Sequence, residues 1–264
     1  MKGLEQPANA KMAVNNQCES VVSSEAEIWD QLHTKRRKPM APEWLYEHYS
    51  VDSSRELKLI ICEQLGHQGS EGWQKIKTLI ENHGVQHEFI RAAGLCHQKE
   101  AFRWLLSLMT DQQEHIDCGD LAEALACWGA EIPEQILVSC ILHHSQKVQL
   151  SGVAMLNFRS YRLSAKELLN YCDMALQRNI DSINLEVIRI LQRRDEDQIS
   201  ERLYKLCIEG SDATSLSALK ALGCMNSATS RQCLKRLSET LSERHKKELA
   251  VKQLSQQCVS MHQD

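Results

Sequence analysis

Six short runs of small and apolar residues recur along this chain at nearly even intervals, and the interval constrains the fold more than any other feature. Leu65, Leu95, Trp128, Leu156, Leu191 and Leu222 anchor the runs, with successive gaps of 30, 33, 28, 35 and 31 residues. The mean is about 31, the length of a helix pair, and a repeat period in this range marks a solenoid. Within each period the first segment carries small residues, such as Ala92, Ala93 and Gly94, or Ala218 and Ala221. These let one backbone approach the next closely. The second segment carries larger apolar residues three and four apart, such as Ile76, Leu79 and Ile80, or Ile199, Leu203 and Leu206. That spacing makes one apolar stripe per helix. The expected fold is all-α: a superhelical α-solenoid of about six helix pairs, each burying its stripe against its neighbours.

Composition agrees. Among 264 residues there are only 4 prolines and 11 glycines, few enough for long helices joined by short turns. The net charge of −4 gives no basic excess to neutralise phosphates, so a nucleic-acid partner is not expected. No stretch of about 18 apolar residues suggests a membrane span. The first 24 residues lack the apolar core of a signal peptide, which makes the cytoplasm the expected location. An odd count of 11 scattered cysteines fits a reducing compartment better than a disulfide framework.

The periodicity also divides the chain. Residues 1–25 are polar without a helical face and read as a disordered arm. Residues 26–54 read as a linker with a short helical lead-in. It holds Lys35, Arg36, Arg37 and Lys38, which suit either an acidic partner or plain solvation. Residues 55–244 form the solenoid. Residues 245–264, beginning His245-Lys246-Lys247-Glu248, read as a polar C-terminal capping helix and tail with a fraying end, and with Lys246 on the surface.

No zinc spacing and no phosphate-binding loop occurs. Three clusters remain. Cys140, His143 and His144 lie three and four apart, so an imidazole on the same helix face would activate the thiol; a buried structural cysteine is the plainer reading. Cys96-His97 ends a first helix, where His97 either faces a ligand or caps carbonyls. Arg193, Arg194 and Asp195 occupy a turn between helices, and Arg159, Tyr161 and Arg162 occupy the equivalent turn one repeat earlier. Arginine grips carboxylates in bidentate fashion, so Arg159 and Arg194 form either a ladder for a carboxylate-bearing ligand or a solvated rim.

Four of these runs carry a resemblance. Ala92-Ala93-Gly94-Leu95-Cys96-His97, with Ala101 and Trp104-Leu105-Leu106, resembles one repeat of the HEAT-like phycobilisome-lyase family. Leu150-Ser151-Gly152-Val153-Ala154-Met155-Leu156 with Phe158-Arg159, Val187 through Asp195, and Ala218 through Gly223 are similar to further repeats. The resemblance spans roughly residues 55–241, and it implies an E/F-type bilin lyase built of HEAT-like helix pairs. Such enzymes attach an open-chain tetrapyrrole, a phycobilin, through a thioether to a cysteine of a phycobiliprotein α or β subunit. Some act with a second lyase subunit, some also isomerise the bilin, and related members detach it or act as chaperones. The bilin is then the substrate, and no cofactor of the protein's own is implied. On this reading His97, Arg159, Tyr161, Arg193 and Arg194 hold the bilin, arginines meeting its propionates, and Asp195 is the candidate proton donor. A non-enzymatic HEAT-repeat scaffold or chaperone for a helical partner is the alternative.

Overall fold

The computed structural model describes residues 24–34, 39–111 and 116–260. The expected disordered arm and the Lys35–Lys38 basic run lie outside these residues, apart from the last two positions of the arm. Two compact units divide at Pro39. The first holds helix α1, Glu25–Thr34. Ser24 caps it: the Glu27 backbone N–H donates to Ser24 Oγ at 3.4 Å, and the Ser24 N–H donates to Glu27 Oε2 at 2.8 Å.

The second unit is the solenoid. A short lead-in, α2 (Pro42–Glu47), packs on the first pair, α3 (Arg55–Gly66) and α4 (Gly69–His83). Five more pairs follow: α5 (His87–Leu95) with α6 (Lys99–Asp111), α7 (Cys118–Ala126) with α8 (Glu134–Ile141), α9 (Gln146–Arg159) with α10 (Ala165–Leu176), α11 (Asp181–Leu191) with α12 (Asp197–Glu209), and α13 (Asp212–Cys224) with α14 (Ala228–Thr240). The last helix, α15 (Arg244–Ser260), lies on α13 and α14. The described residues contain six pairs and no strand, so the chain is an all-α helical-repeat solenoid.

Polar residues set the helix starts. Ser54, Asp117, Ser164, Ser211 and Ser227 each accept from a backbone N–H three residues on, and Ser164 completes a capping box with Glu167. The first helices, α3 through α13, pack each on the next in one continuous layer. Small residues make this possible. A Cβ added at Gly66 would lie 2.8 Å from the Ala92 carbonyl oxygen, and one at Gly94 would lie 2.7 Å from that of Ala124. Second helices close the other side with fully buried Ile76, Leu105, Leu137, Leu168, Leu203 and Leu234. Each such side chain contributes roughly 1.5–3 kcal/mol, so the array needs no metal or disulfide to fold. All nine cysteines among the residues described for burial are free thiols.

Four expectations are corrected by packing. Trp128 lies in a turn beyond the end of α7, whereas Leu125 is the fully buried helical residue of that repeat. Taking Leu125 as the anchor turns gaps of 33 and 28 into 30 and 31, so the irregularity belonged to the choice of residue. The lead-in is not merely a linker: Leu45 is fully buried, and buried Tyr49 donates to the Glu88 carboxylate at 2.8 Å. Lys246 is not a surface residue. Its side chain is 7 % exposed, and its ammonium bridges Asp212 at 2.8 Å and Glu243 at 2.7 Å, tying α15 to the last pair. Nor does the C-terminal helix read as a fraying end: Ala250 is fully buried, and Gln257 Nε2 donates to the Leu222 carbonyl at 2.7 Å.

Candidate functional site

Each first helix ends in a turn, and successive turns touch along one rim. His97, with φ of 49°, follows α5 and lays its ring 5.3 Å from that of Trp128 in the next turn. Phe102 stacks on Trp128 at 4.8 Å. Gly129 follows, with φ of 55°, and Phe158 near the end of α9 sits over it, so that an added Cβ would lie 2.9 Å from Phe158 Cγ. Only glycine meets both demands, the left-handed backbone and the close ring. A tight turn at Ser160–Arg162 then exposes Tyr161, with Arg162 lying over its ring. The rim continues where Arg194 donates from Nη1 to the carbonyls of Ser160 at 2.6 Å and Leu163 at 3.1 Å. Asp195 accepts from the Asn226 backbone N–H at 3.3 Å in the turn beyond.

His97, Arg159, Tyr161, Arg193 and Arg194 therefore all stand on one rim, three pair-steps from end to end, but they do different jobs. Arg194 is a clamp, not half of a free ladder with Arg159. It is mostly enclosed, it binds the preceding turn, and its guanidinium grips Glu196, holding that carboxyl below its ordinary range. Arg193 turns to the layer of first helices and donates to Asn157 Oδ1 at 2.9 Å. There it borders a groove of about 410 Å³ between α9 and α11, floored by Leu150, Val153, Ala154 and Ile190. Arg159 is half-buried, and its Nε–H finds no acceptor in the protein. Asp195 is exposed and is turned toward Asn226, so its carboxylate braces the next turn and does not face the aromatic run.

The thiol cluster does not assemble. Cys140 is fully buried in α8, and burial pushes its thiol up to about 11. His143 lies past the end of that helix with its ring against His144, and the Arg178 guanidinium occupies both histidine carbonyls. A buried, protonated thiol is a poor nucleophile. The one group of metal-ligating atoms drawn together among the described residues is Asp212, Glu243 and His245, and the Lys246 ammonium already lies between the two carboxylates.

No family model matches this chain, and no curated protein does. A solved structure of human deoxyhypusine hydroxylase in complex with glycerol is similar over 89 % of this chain and 91 % of that one, at 16 % identity and a TM-score of 0.40. No described helix is long and apolar enough to cross a membrane.

Two contributors to the rim escape sequence reasoning. Trp128 reads as repeat packing, yet its buried indole N–H has no acceptor in the protein. Phe158 is half exposed beside Arg159, and the only sequence sign of its seat is Gly129, 29 residues earlier.

Proposed function

We propose that this rim holds an open-chain tetrapyrrole, a phycobilin, and presents it to a cysteine of a phycobiliprotein α or β subunit, as an E/F-type bilin lyase or one subunit of such a lyase. The observation that carries the reading is a pair of buried donors without partners, Trp128 Nε1 and Arg159 Nε, on successive turns. Buried donors are nearly always satisfied, so an unsatisfied pair on one rim points to a ligand rich in acceptors. A bilin offers lactam carbonyls and two propionates. Its conjugated rings suit the faces of His97, Trp128, Phe158 and Tyr161, and Arg159 and Arg193 suit the carboxylates. The nucleophilic thiol comes from the acceptor protein, which accords with the protein's own Cys140 being enclosed. Holding both reactants in register supplies a large part of such a barrier.

Purification from cells making phycocyanobilin, with and without co-expressed apo-phycobiliprotein subunits, tests the reading. Bound pigment in the absorption spectrum and a covalent adduct on a subunit are expected. Colourless protein and no adduct with any subunit would sink it.

The second reading is a scaffold or chaperone without chemistry. The engagement of Asp195 by Asn226 favours it, since it leaves the aromatic run without the carboxyl expected there. Complex formation with an apo-subunit, equal with and without pigment, would establish it.

A further inference from the structure

A groove between two first helices ends next to the residues that lead into the rim. Leu95 on α5 and Cys127 after α7 line a cavity of about 260 Å³ between these two first helices, and they immediately precede the turns bearing His97 and Trp128. The cavity runs back along both helices to His87 and Asp120, each in the first turn of its helix. His87 Nδ1 donates to Asp120 Oδ2 at 2.5 Å. The second oxygen of Asp120 accepts from Lys147 on α9 at 2.5 Å. Burial works to raise the Asp120 carboxyl, but Lys147 and His87 outweigh it and hold the group below its ordinary value. Asp120 is thus a fixed anion with both oxygens spoken for. It orients the imidazole, whose side chain is 30 % exposed, so that Nε2 remains for exchange. The other charged neighbours are paired as well: Arg91 Nε binds Glu63 at 2.6 Å, and Lys147 lies 3.6 Å from Asp117 and 3.7 Å from Glu123. The Cys127 thiol in the same groove is raised by burial, against the pull of Arg91, and stays protonated. A histidine held by a carboxylate, in a cavity, beside an arginine, is the arrangement of a proton-transfer site. His87 and Asp120 are 33 residues apart, one repeat, which is why their pairing follows from the period and from nothing local.

Resting on the reading above, we infer that His87 is the proton-transfer residue for thioether formation, with Asp120 and Lys147 as positioning residues. In the step assigned to it, the acceptor cysteine adds across an exocyclic carbon–carbon double bond of the terminal bilin ring. A carbon–sulfur bond forms while the S–H bond and the π bond break. The thiol proton passes to His87 Nε2, and the imidazole returns a proton to the conjugated system. Nothing is oxidised or reduced, and the histidine ends as it began.

The test uses the full chain with phycocyanobilin as probe and the apo-subunit that accepts it from the wild type. His87→Gln is expected to keep the bound-pigment spectrum and to slow adduct formation about a hundredfold or more, the usual contribution of general acid–base catalysis. Asp120→Asn leaves the imidazole in place and removes the carboxylate that orients it; a smaller loss in the rate of adduct formation is expected, at unchanged pigment affinity. Wild-type protein that binds no pigment would overturn the functional reading itself. Pigment bound normally and transferred by His87→Gln at the wild-type rate would overturn this inference alone, as would an unchanged rate of transfer in Asp120→Asn. Circular dichroism identifies a misfolded variant, and the transfer rate of Asp120→Asn at unchanged pigment affinity decides the matter where His87→Gln does not fold.

Discussion

Arg194 Nη1 donates to the Ser160 carbonyl at 2.6 Å, across the boundary between the fourth and fifth helix pairs. The same guanidinium holds the Leu163 carbonyl and Glu196, so one side chain joins two turns. Arg194→Ala is expected to cost about 2–3 kcal/mol, the range for hydrogen bonds to a charged group with a carbonyl left stranded. Urea unfolding with an unchanged m-value and a lower midpoint would show it. Arg194→Lys should recover less than half, since an ammonium cannot span the fork. A midpoint that does not move in Arg194→Ala would refute the clamp.

Gly94 meets Ala124 where α5 crosses α7. A methyl group there would lie 2.7 Å from the Ala124 oxygen and 2.8 Å from its Cα, and both are backbone atoms that cannot swing aside. Gly94→Ala should therefore destabilise by about 1–3 kcal/mol, although alanine is the better helix former. Thermal unfolding measures the loss, and faster amide exchange in α5 and α7 locates it.

Trp128→Phe keeps an aromatic face on the rim and removes a buried donor that has no partner. Deleting such a donor relieves a desolvation penalty, so stability should change by less than about 1 kcal/mol. Bilin retention should fall about five- to tenfold, the value of one hydrogen bond of about 1–1.4 kcal/mol. Pigment titration followed by absorbance compares the variant with the wild type. Equal affinity would remove Trp128 from the site.

The Lys246 bridge gives stability two pH limbs. Hydrogen bonds from Lys246 hold the Asp212 carboxyl below its ordinary 3.8, so its contribution is present above that value and is lost as pH falls through the lowered one. Asp212 and Glu243 raise the Lys246 ammonium above 10.5, so its contribution is present below that value and is lost as pH rises through the raised one. Lys246→Ala should flatten both limbs in a series of melting curves from pH 2 to 11. Limbs as steep as those of the wild type would show the bridge to be idle.

Thiol reactivity should sort by burial. Cys118, Cys127 and Cys224 are exposed, while Cys140 is enclosed with its thiol at about 11. Iodoacetamide at pH 7.5 should alkylate Cys118 and Cys224 in the folded protein, Cys127 more slowly because its thiol is raised, and Cys140 only after unfolding. Cys140→Ser should leave bilin transfer unchanged, and a loss of transfer there would revive a thiol role.

The solenoid was legible because its cause is periodic. Small residues at Gly94 and Ala218 and stripes such as Ile199, Leu203 and Leu206 repeat, and packing enforces the repetition. The site was legible only as a place. His97, Arg159 and Arg193 fall at equivalent turns, and equivalence in a stack means adjacency. Their roles were hidden, because the partner of each is fixed by side-chain direction across a repeat boundary. Arg194 reads as a ligand arginine until Ser160 is seen beneath it, and Asp195 reads as an acid until Asn226 is seen beside it. His87 and Asp120 carry no signal in the sequence, for each is ordinary within its own helix and they meet only across a repeat boundary.

Every link along the rim joins a turn only to its immediate neighbour: His97 to Trp128, Phe158 to Gly129, Arg194 to Ser160. Among the described residues no strut runs from His97 to Arg193, so the reach between them is set by the pitch of the three steps that separate their pairs. The rim is in effect a ruler graduated in helix pairs. A substitution that changes one crossing angle, such as Gly94→Ala, would regrade the whole scale and alter the length of molecule that fits, without touching a single group that binds it.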